Sequence, residues 1–245
     1  WPRYLTSSAG FDYLPWFMVP VLLLAMVTQR SMTQMAPPRS RHLETALPAI
    51  PRRSWMNIGF LYAAACMRFC VNTSLFYLYV RWTQSEIAAA NIGWSPQEIA
   101  TAAAPYAGDL NAYTFLGMAL GGLVARHLIP IGRGRLPMIL VPIVSAPVLA
   151  LFHLASIKLG YLLAALAGVG FASMIPINIA LAQRILPHRA NLASSLMMGG
   201  AWSVAMVGPP LAEYIASHWD LATAFYVTAS GVLFSGLCCL PIRNG

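Results

Sequence analysis

Arg68 is the residue whose type and place most constrain its chemistry. It lies in the run Ala65-Cys66-Met67-Arg68-Phe69-Cys70-Val71-Asn72, inside a continuous apolar stretch from Met56 to Val80. A charge at the centre of an apolar span costs about 2.5–3.5 kcal/mol on insertion scales, so such a residue normally faces a water-filled cavity or a partner. Two chemistries fit. One is a cavity cation that binds an anionic group or pairs with a carboxylate. The other is a structural arginine bonded to backbone carbonyls. Asn72 is four residues on and shares that helix face. Asn111, Thr114, Asn178, Gln183 and Ser203 also fall inside apolar stretches. They either line a cavity or hydrogen-bond between helices, the latter worth about 0.6 kcal/mol each on average.

Other site chemistries lack their residues. A retinal-type Schiff base needs a lysine within a span, and the single lysine, Lys158, lies in a loop. Membrane haem ligation needs paired histidines inside spans. His42, His127, His188 and His218 fall in loops or at edges, and only His153 reaches a span end. No Gly-x-Ser-x-Gly nucleophile turn occurs. Gly132-Arg133-Gly134-Arg135 resembles a phosphate loop only superficially, because no strand precedes it. Cys66, Cys70, Cys238 and Cys239 lie in apolar stretches and read as small core hydrophobes. Cys66 and Cys70 have metal-ligand spacing but lack the two further ligands a structural metal demands. The chain is therefore read as a non-enzyme, with no metal and no cofactor.

The elements that position these residues are membrane spans. Of 245 residues 58% are hydrophobic and 9% charged, against roughly 25% charged in soluble domains. A spanning helix needs about 20 apolar residues, and seven stretches qualify: 13–27, 56–80, 106–128, 136–154, 159–181, 192–216 and 221–241. They are continuous and lack the alternation of barrel strands. The fold class is an all-α integral membrane protein of about seven transmembrane helices, with the lipid bilayer as its surroundings. Residues 29–54 form a polar, proline-containing linker between a first helix (1–28) and a six-helix domain (55–245). Ser95-Pro96-Gln97-Glu98 carries a helix start: Ser95 caps, Pro96 suits the first turn, and Glu98 closes a capping box. That helix either runs into the third span or breaks near Pro105 and Gly108.

Small residues and helix breakers add packing detail. Gly117-x-x-x-Gly121 in the third span, Ala164, Gly168 and Ala172 in the fifth, and Gly199 to Ala205 in the sixth allow close helix approach. Gly208-Pro209-Pro210 breaks or bends the sixth span, a feature common in transporters. Trp16, Trp55, Trp82, Trp94 and Trp219 fall near span ends, as an interfacial belt would.

Four stretches together resemble the C-terminal half of a major facilitator superfamily transporter. Gly121-Gly122-Leu123-Val124-Ala125-Arg126 followed by Gly132-Arg133-Gly134-Arg135 resembles the signature loop between the second and third helices of a half. Residues 181–190 resemble the short loop before its fifth helix, and 193–200 with Gly208-Pro209-Pro210-Leu211 that helix itself. Arg68 is placed like an arginine of drug-efflux members similar to fosmidomycin-resistance proteins. Arg126 departs from the signature, where an acidic residue usually precedes the basic one, and residues 128–131 lengthen the loop.

The resemblance implies that residues 55–242 are two three-helix units related by an approximate two-fold axis in the membrane plane. The first span would be the last helix of a missing N-terminal half, and the linker the connector. Alternating access to a midplane site follows, moving a small-molecule solute, with efflux one direction. The second, third, fifth and sixth spans would face the cavity. Arg68, Asn72, Asn111, Asn178 and Trp202 would face substrate, and Gly122, Arg126, Gly132, Arg133 and Arg135 would form the gating loop. Neither Asp109 nor Glu213 is placed as a coupling acid. A seven-helix receptor or a non-transporting structural subunit is the alternative.

Basic residues set the orientation. Eleven of the fifteen Lys and Arg fall in alternate loops and the tail, and only Arg3, Arg81 and Lys158 fall opposite. The positive-inside tendency puts the N-terminus outside and the C-terminus in the cytoplasm of a cell-membrane protein. The net charge of +8 then reflects topology and calls for no nucleic-acid partner. In a cysteine-free background, Arg133→Cys and Arg189→Cys are expected to react with an impermeant thiol reagent only from the cytoplasm, and Lys158→Cys only from outside. Reaction of all three from one side refutes the assignment.

Overall fold

The computed structural model describes residues 50–128 and 135–242, together with Val19, Leu23, Met26 and Arg30. The chain divides into two compact units, Trp1–Pro48 and Ala49–Gly245. In the first, the four described residues are helical, and the expected first span otherwise lies outside the described residues. In the second, the regular structure among the described residues is entirely helical. Its elements are α1 (Arg52–Ala90), α2 (Pro96–Leu128), α3 (Arg135–Ala150) and α4 (Ile157–Ile185). A broken helix follows, made of α5 (Ala190–Ser195), a π-helical turn (Leu196–Gly200), α6 (Ala201–Ala205) and α7 (Gly208–His218); α8 (Leu221–Leu237) closes the unit.

The six expected spans of the second unit reappear as helices, with longer or broken forms where local chemistry requires them. At 39 residues, α1 extends about 58 Å at 1.5 Å per residue. It begins at Arg52, so the last residues of the expected linker are already helical. Of the two options at the third span, α2 runs unbroken from Pro96 through Pro105. Its capping box forms as expected. Ser95 N–H and Oγ–H donate to Glu98 Oε2 at 2.8 and 2.7 Å, and Glu98 N–H returns a bond to Ser95 Oγ. The bonds from Ser95, its backbone N–H first, hold the Glu98 carboxyl below the usual carboxylate range. Asp220 caps α8 the same way, accepting from Thr223 N–H.

Three helices among the described residues are long and apolar enough to cross a membrane: 52–90, 136–154 and 157–185. Leu221–Leu237 is apolar but shorter. The sixth span misses that measure because the π turn and the step at Met206 and Val207 divide it.

The helices do not form a sequential ring. The most extensive contact joins α2 to α4, and α3 packs chiefly on α8. Exchanging α1, α2 and α3 for α4, the broken helix and α8 maps most contacts onto one another. The α2–α4 contact becomes that of the broken helix with α1, and α1–α8 becomes α4–α3. The α7–α8 contact has no counterpart of similar extent between α2 and α3. Two three-helix units paired about one axis produce this pattern. At the centre is α1, whose most apolar window is 67% buried, against 28% for the window that includes α3.

Small residues set the α2–α4 distance. A Cβ on Gly117 or Gly121 would run into the α4 backbone at Ala165 or Val169, and one on Gly168 into the α2 backbone at Thr114. Helices this close gain dispersion contacts that larger side chains would prevent. Beside this seam Phe152 stacks on Phe225 at 5.3 Å and meets Tyr79 and the edge of Trp82 at 5.1 Å. Trp82 is thus a core residue, 1% exposed, and not part of an interfacial belt, because α1 continues eight residues past it. Trp55, Trp94 and Trp219 are exposed, and Trp16 lies outside the described residues.

Gly168→Ala is expected to destabilise the purified protein by about 1–3 kcal/mol or more through overpacking, read as a lower melting temperature. Gly122→Ala, whose Cβ meets nothing within 4 Å, is expected to stay within about 0.5 kcal/mol of wild type. Equal melting of the two variants would contradict the close α2–α4 seam.

Candidate functional site

A proline inside a helix removes the N–H that would bond the carbonyl four residues earlier. In a bundle surrounded by lipid no water can replace it, so a side chain must. Pro142 frees the carbonyl of Met138 in this way, and at the interruption between α6 and α7 Pro209, in the first turn of α7, offers no N–H to that of Ala205. Both find donors on α1. Arg68 Nη2 donates to Met138 O at 3.3 Å, and Thr73 Oγ1 donates to Ala205 O at 2.7 Å. Gly208 makes the second bond possible, because any Cβ there would strike Cys70 O and Thr73 Oγ1. The Pro142 ring in turn rests against Gly236 of α8.

Arg68 does more than satisfy one carbonyl. It is 6% exposed. Nε donates to Ser235 Oγ at 3.2 Å, Nη1 to Asn178 Oδ1 at 3.2 Å, and Nη2 also to Cys239 Sγ at 3.4 Å. The guanidinium therefore ties α1 to α3, α4, α8 and the turn after α8. None of these partners is a carboxylate. The geometry contains the carbonyl contact of a structural arginine and also a small, mostly apolar recess onto which the guanidinium faces. A recess of about 20 Å³ lies between α1, α2 and α4, lined by Arg68, Asn72 and Asn178 with Phe69, Met118 and Met174 among its apolar walls.

Of the five residues expected to face substrate, the structure thus gathers three at one recess. Asn72 is 2% exposed, and its Oδ1 is buried without a partner. Asn178 is 5% exposed and bonded to Arg68. Trp202, 39% exposed, stands beside the recess with its ring 4.9 Å from that of Phe69. Asn111 is not part of the recess lining; its Oδ1 is buried and unpartnered on α2. Thr114 bonds Tyr79 OH, Gln183 bonds Ser194, and Ser203 bonds its own helix. These three are packing contacts.

The gating-loop residues fall differently. Gly122 lies in α2 with open space around it. Gly132 and Arg133 lie outside the described residues. Arg126 and Arg135 are helical, in α2 and at the start of α3. Gly208, Pro209 and Pro210 begin α7, one step after the helix interruption at Met206 and Val207. None of the four cysteines is joined in a disulfide; Cys66 and Cys239 are buried and Cys70 and Cys238 partly so. Among the described residues no group of His, Cys, Asp and Glu could hold a metal ion.

The Major Facilitator Superfamily matches residues 82–244, about two thirds of the chain. The chain belongs to that superfamily, and is a membrane transporter protein. The match begins at Trp82, so Arg68, Asn72 and Thr73 precede it while their partners on α3, α4, α8 and the broken helix lie within it. No curated protein and no solved structure matches the chain.

Sequence reading missed Thr73, Ser235 and Cys239. Its available signal was the prolines: each proline within an apolar helix announces a carbonyl that needs a donor. Thr73→Val is expected to cost about 1–3 kcal/mol by leaving Ala205 O unsatisfied. Adding Pro209→Ala returns an N–H to that carbonyl and is expected to recover most of the loss. A melting-temperature double-mutant cycle measures the coupling; strict additivity would rule out the Thr73–Ala205 bond as the reason for the threonine.

Proposed function

We propose that the six-helix unit is one half of a secondary-active transporter that moves a small solute by alternating access, in the direction of efflux. The recess between α1, α2 and α4 is this half's wall of the solute site. The other wall comes from a second six-helix half of the same protein, joined through the basic residues of 29–54. The unit sits in the cell membrane with its C-terminus cytoplasmic. The observation that carries this reading is the convergence of Arg68, Asn72 and Asn178 from two helices on one small opening. Polar groups this well buried are costly unless something uses them. The likeness to fosmidomycin-resistance proteins rests on Arg68 and is the reason for choosing efflux.

In this arrangement Asn178 has two tasks. Its Oδ1 holds the Arg68 guanidinium, and its amide faces the same opening as Asn72. Trp202 and Phe69 form an aromatic shoulder against which the solute slides. Arg126 and Arg135, at the helix ends on either side, act with Gly132 and Arg133 between them in sequence to close the cytoplasmic side, and the break before Gly208-Pro209-Pro210 lets the broken helix flex as the halves rock.

Full-length protein reconstituted in vesicles tests this. Asn72→Ala and Asn178→Ala are each expected to lower the transport rate about tenfold or more while the amount of folded protein is unchanged. A lost hydrogen bond to a charged or reacting group is worth about 1.5–3 kcal/mol. Asn111→Ala, outside the recess, is expected to transport within about threefold of wild type. Wild-type rates for both Asn72→Ala and Asn178→Ala would overturn the site.

A further inference from the structure

The Arg68 recess is out of electrical balance. Arginine keeps its proton even when buried, and a buried charge is costly unless paired. Yet the four partners of Arg68 are a hydroxyl, an amide oxygen, a backbone carbonyl and a thiol, and no residue lining the recess is acidic. One turn along α1, the Asn72 amide lines the same recess with its Oδ1 unpartnered. Which end of that amide is oxygen and which nitrogen follows from its partners, so either can be presented to a ligand. The opening of about 20 Å³ exceeds the roughly 10–15 Å³ that one water-sized group requires, and it cannot take a whole solute. Water would satisfy the amide and leave the charge uncompensated.

We propose that this recess is a monovalent-anion subsite. The transported solute carries a carboxylate or comparably small anionic group, one oxygen of which seats between the Arg68 guanidinium and the Asn72 amide. Only the statement about the solute rests on the transport reading; the anion site stands on charge and geometry alone. Between turnovers a small inorganic anion occupies the same place. The seated anion accepts from Arg68 and from the amide N–H₂ of Asn72, a charge-assisted arrangement stronger than the neutral bonds around it.

The test uses the purified full-length protein in detergent at constant ionic strength. Chloride, bromide or acetate is expected to raise the melting temperature by about 3–8 °C over gluconate, saturably, as a ligand selective for the folded state does. Asn72→Asp places a fixed carboxylate one turn from Arg68. It is expected to melt in gluconate where wild type melts in chloride, and to lose its anion dependence. Crystals soaked in bromide are expected to show an anomalous peak beside Arg68 and Asn72. Equal wild-type melting in all four salts, anion dependence retained in Asn72→Asp, or an ordered water in place of the bromide peak overturns the anion site. If bromide binds there and saturating chloride fails to compete with transport of anionic solutes in vesicles, the assignment of the solute falls while the site remains.

Discussion

A carbonyl without a donor is the constraint around which this bundle is organised. Prolines are spread through its helices, and inside a membrane each withdraws one backbone bond with no water to replace it. The answer at Met138 and Ala205 is a side chain from α1, Arg68 in one case and Thr73 in the other. These two bonds lie five residues apart on α1 and reach α3 and the broken helix, which belong to different three-helix units. The central helix is therefore central in chemistry as well as in burial, since it supplies the donors its neighbours lack.

That constraint gives Arg68 two roles that would otherwise compete. As a strut it fixes the relative positions of α1, α3, α4 and α8 through four hydrogen-bond partners. As a charge it has no carboxylate among those partners, and polar side chains meet at the recess beside it because Asn72 and Asn178 come to the same place. A purely structural donor could have been a serine or a threonine, as Thr73 illustrates. Placing an arginine there adds a permanent positive charge that the carbonyl contact does not require.

The helical class, the six spans of the unit and the capping box at Ser95 were legible because hydrophobic run length and cap chemistry are local properties. The small-residue seams were legible too, since Gly117, Gly121 and Gly168 announce close approach whatever their partners. The grouping of Arg68, Asn72 and Asn178 was half legible: i to i+4 spacing joined the first two, but the third needed α4 to pass beside α1. Trp82 misled because the end of an apolar run is not the end of a helix, and α1 continues as a polar helix beyond it. Ser235 and Cys239, more than 160 residues from Arg68, carry no local sign of their task.

The length of α1 has a mechanical consequence. A rod of about 58 Å through a hydrocarbon layer of about 30 Å leaves about 28 Å of helix outside the layer, shared between its two faces. Pivoted at its middle, such a rod is a lever. A tilt of about 10° displaces each tip by roughly 5 Å, close to the 5.4 Å pitch of a helical turn, while the pivot hardly moves. Thr73 and Arg68 both lie within a turn of that pivot, on either side of the midpoint of α1, so the bonds that hold the bundle together sit where a rocking helix strains them least.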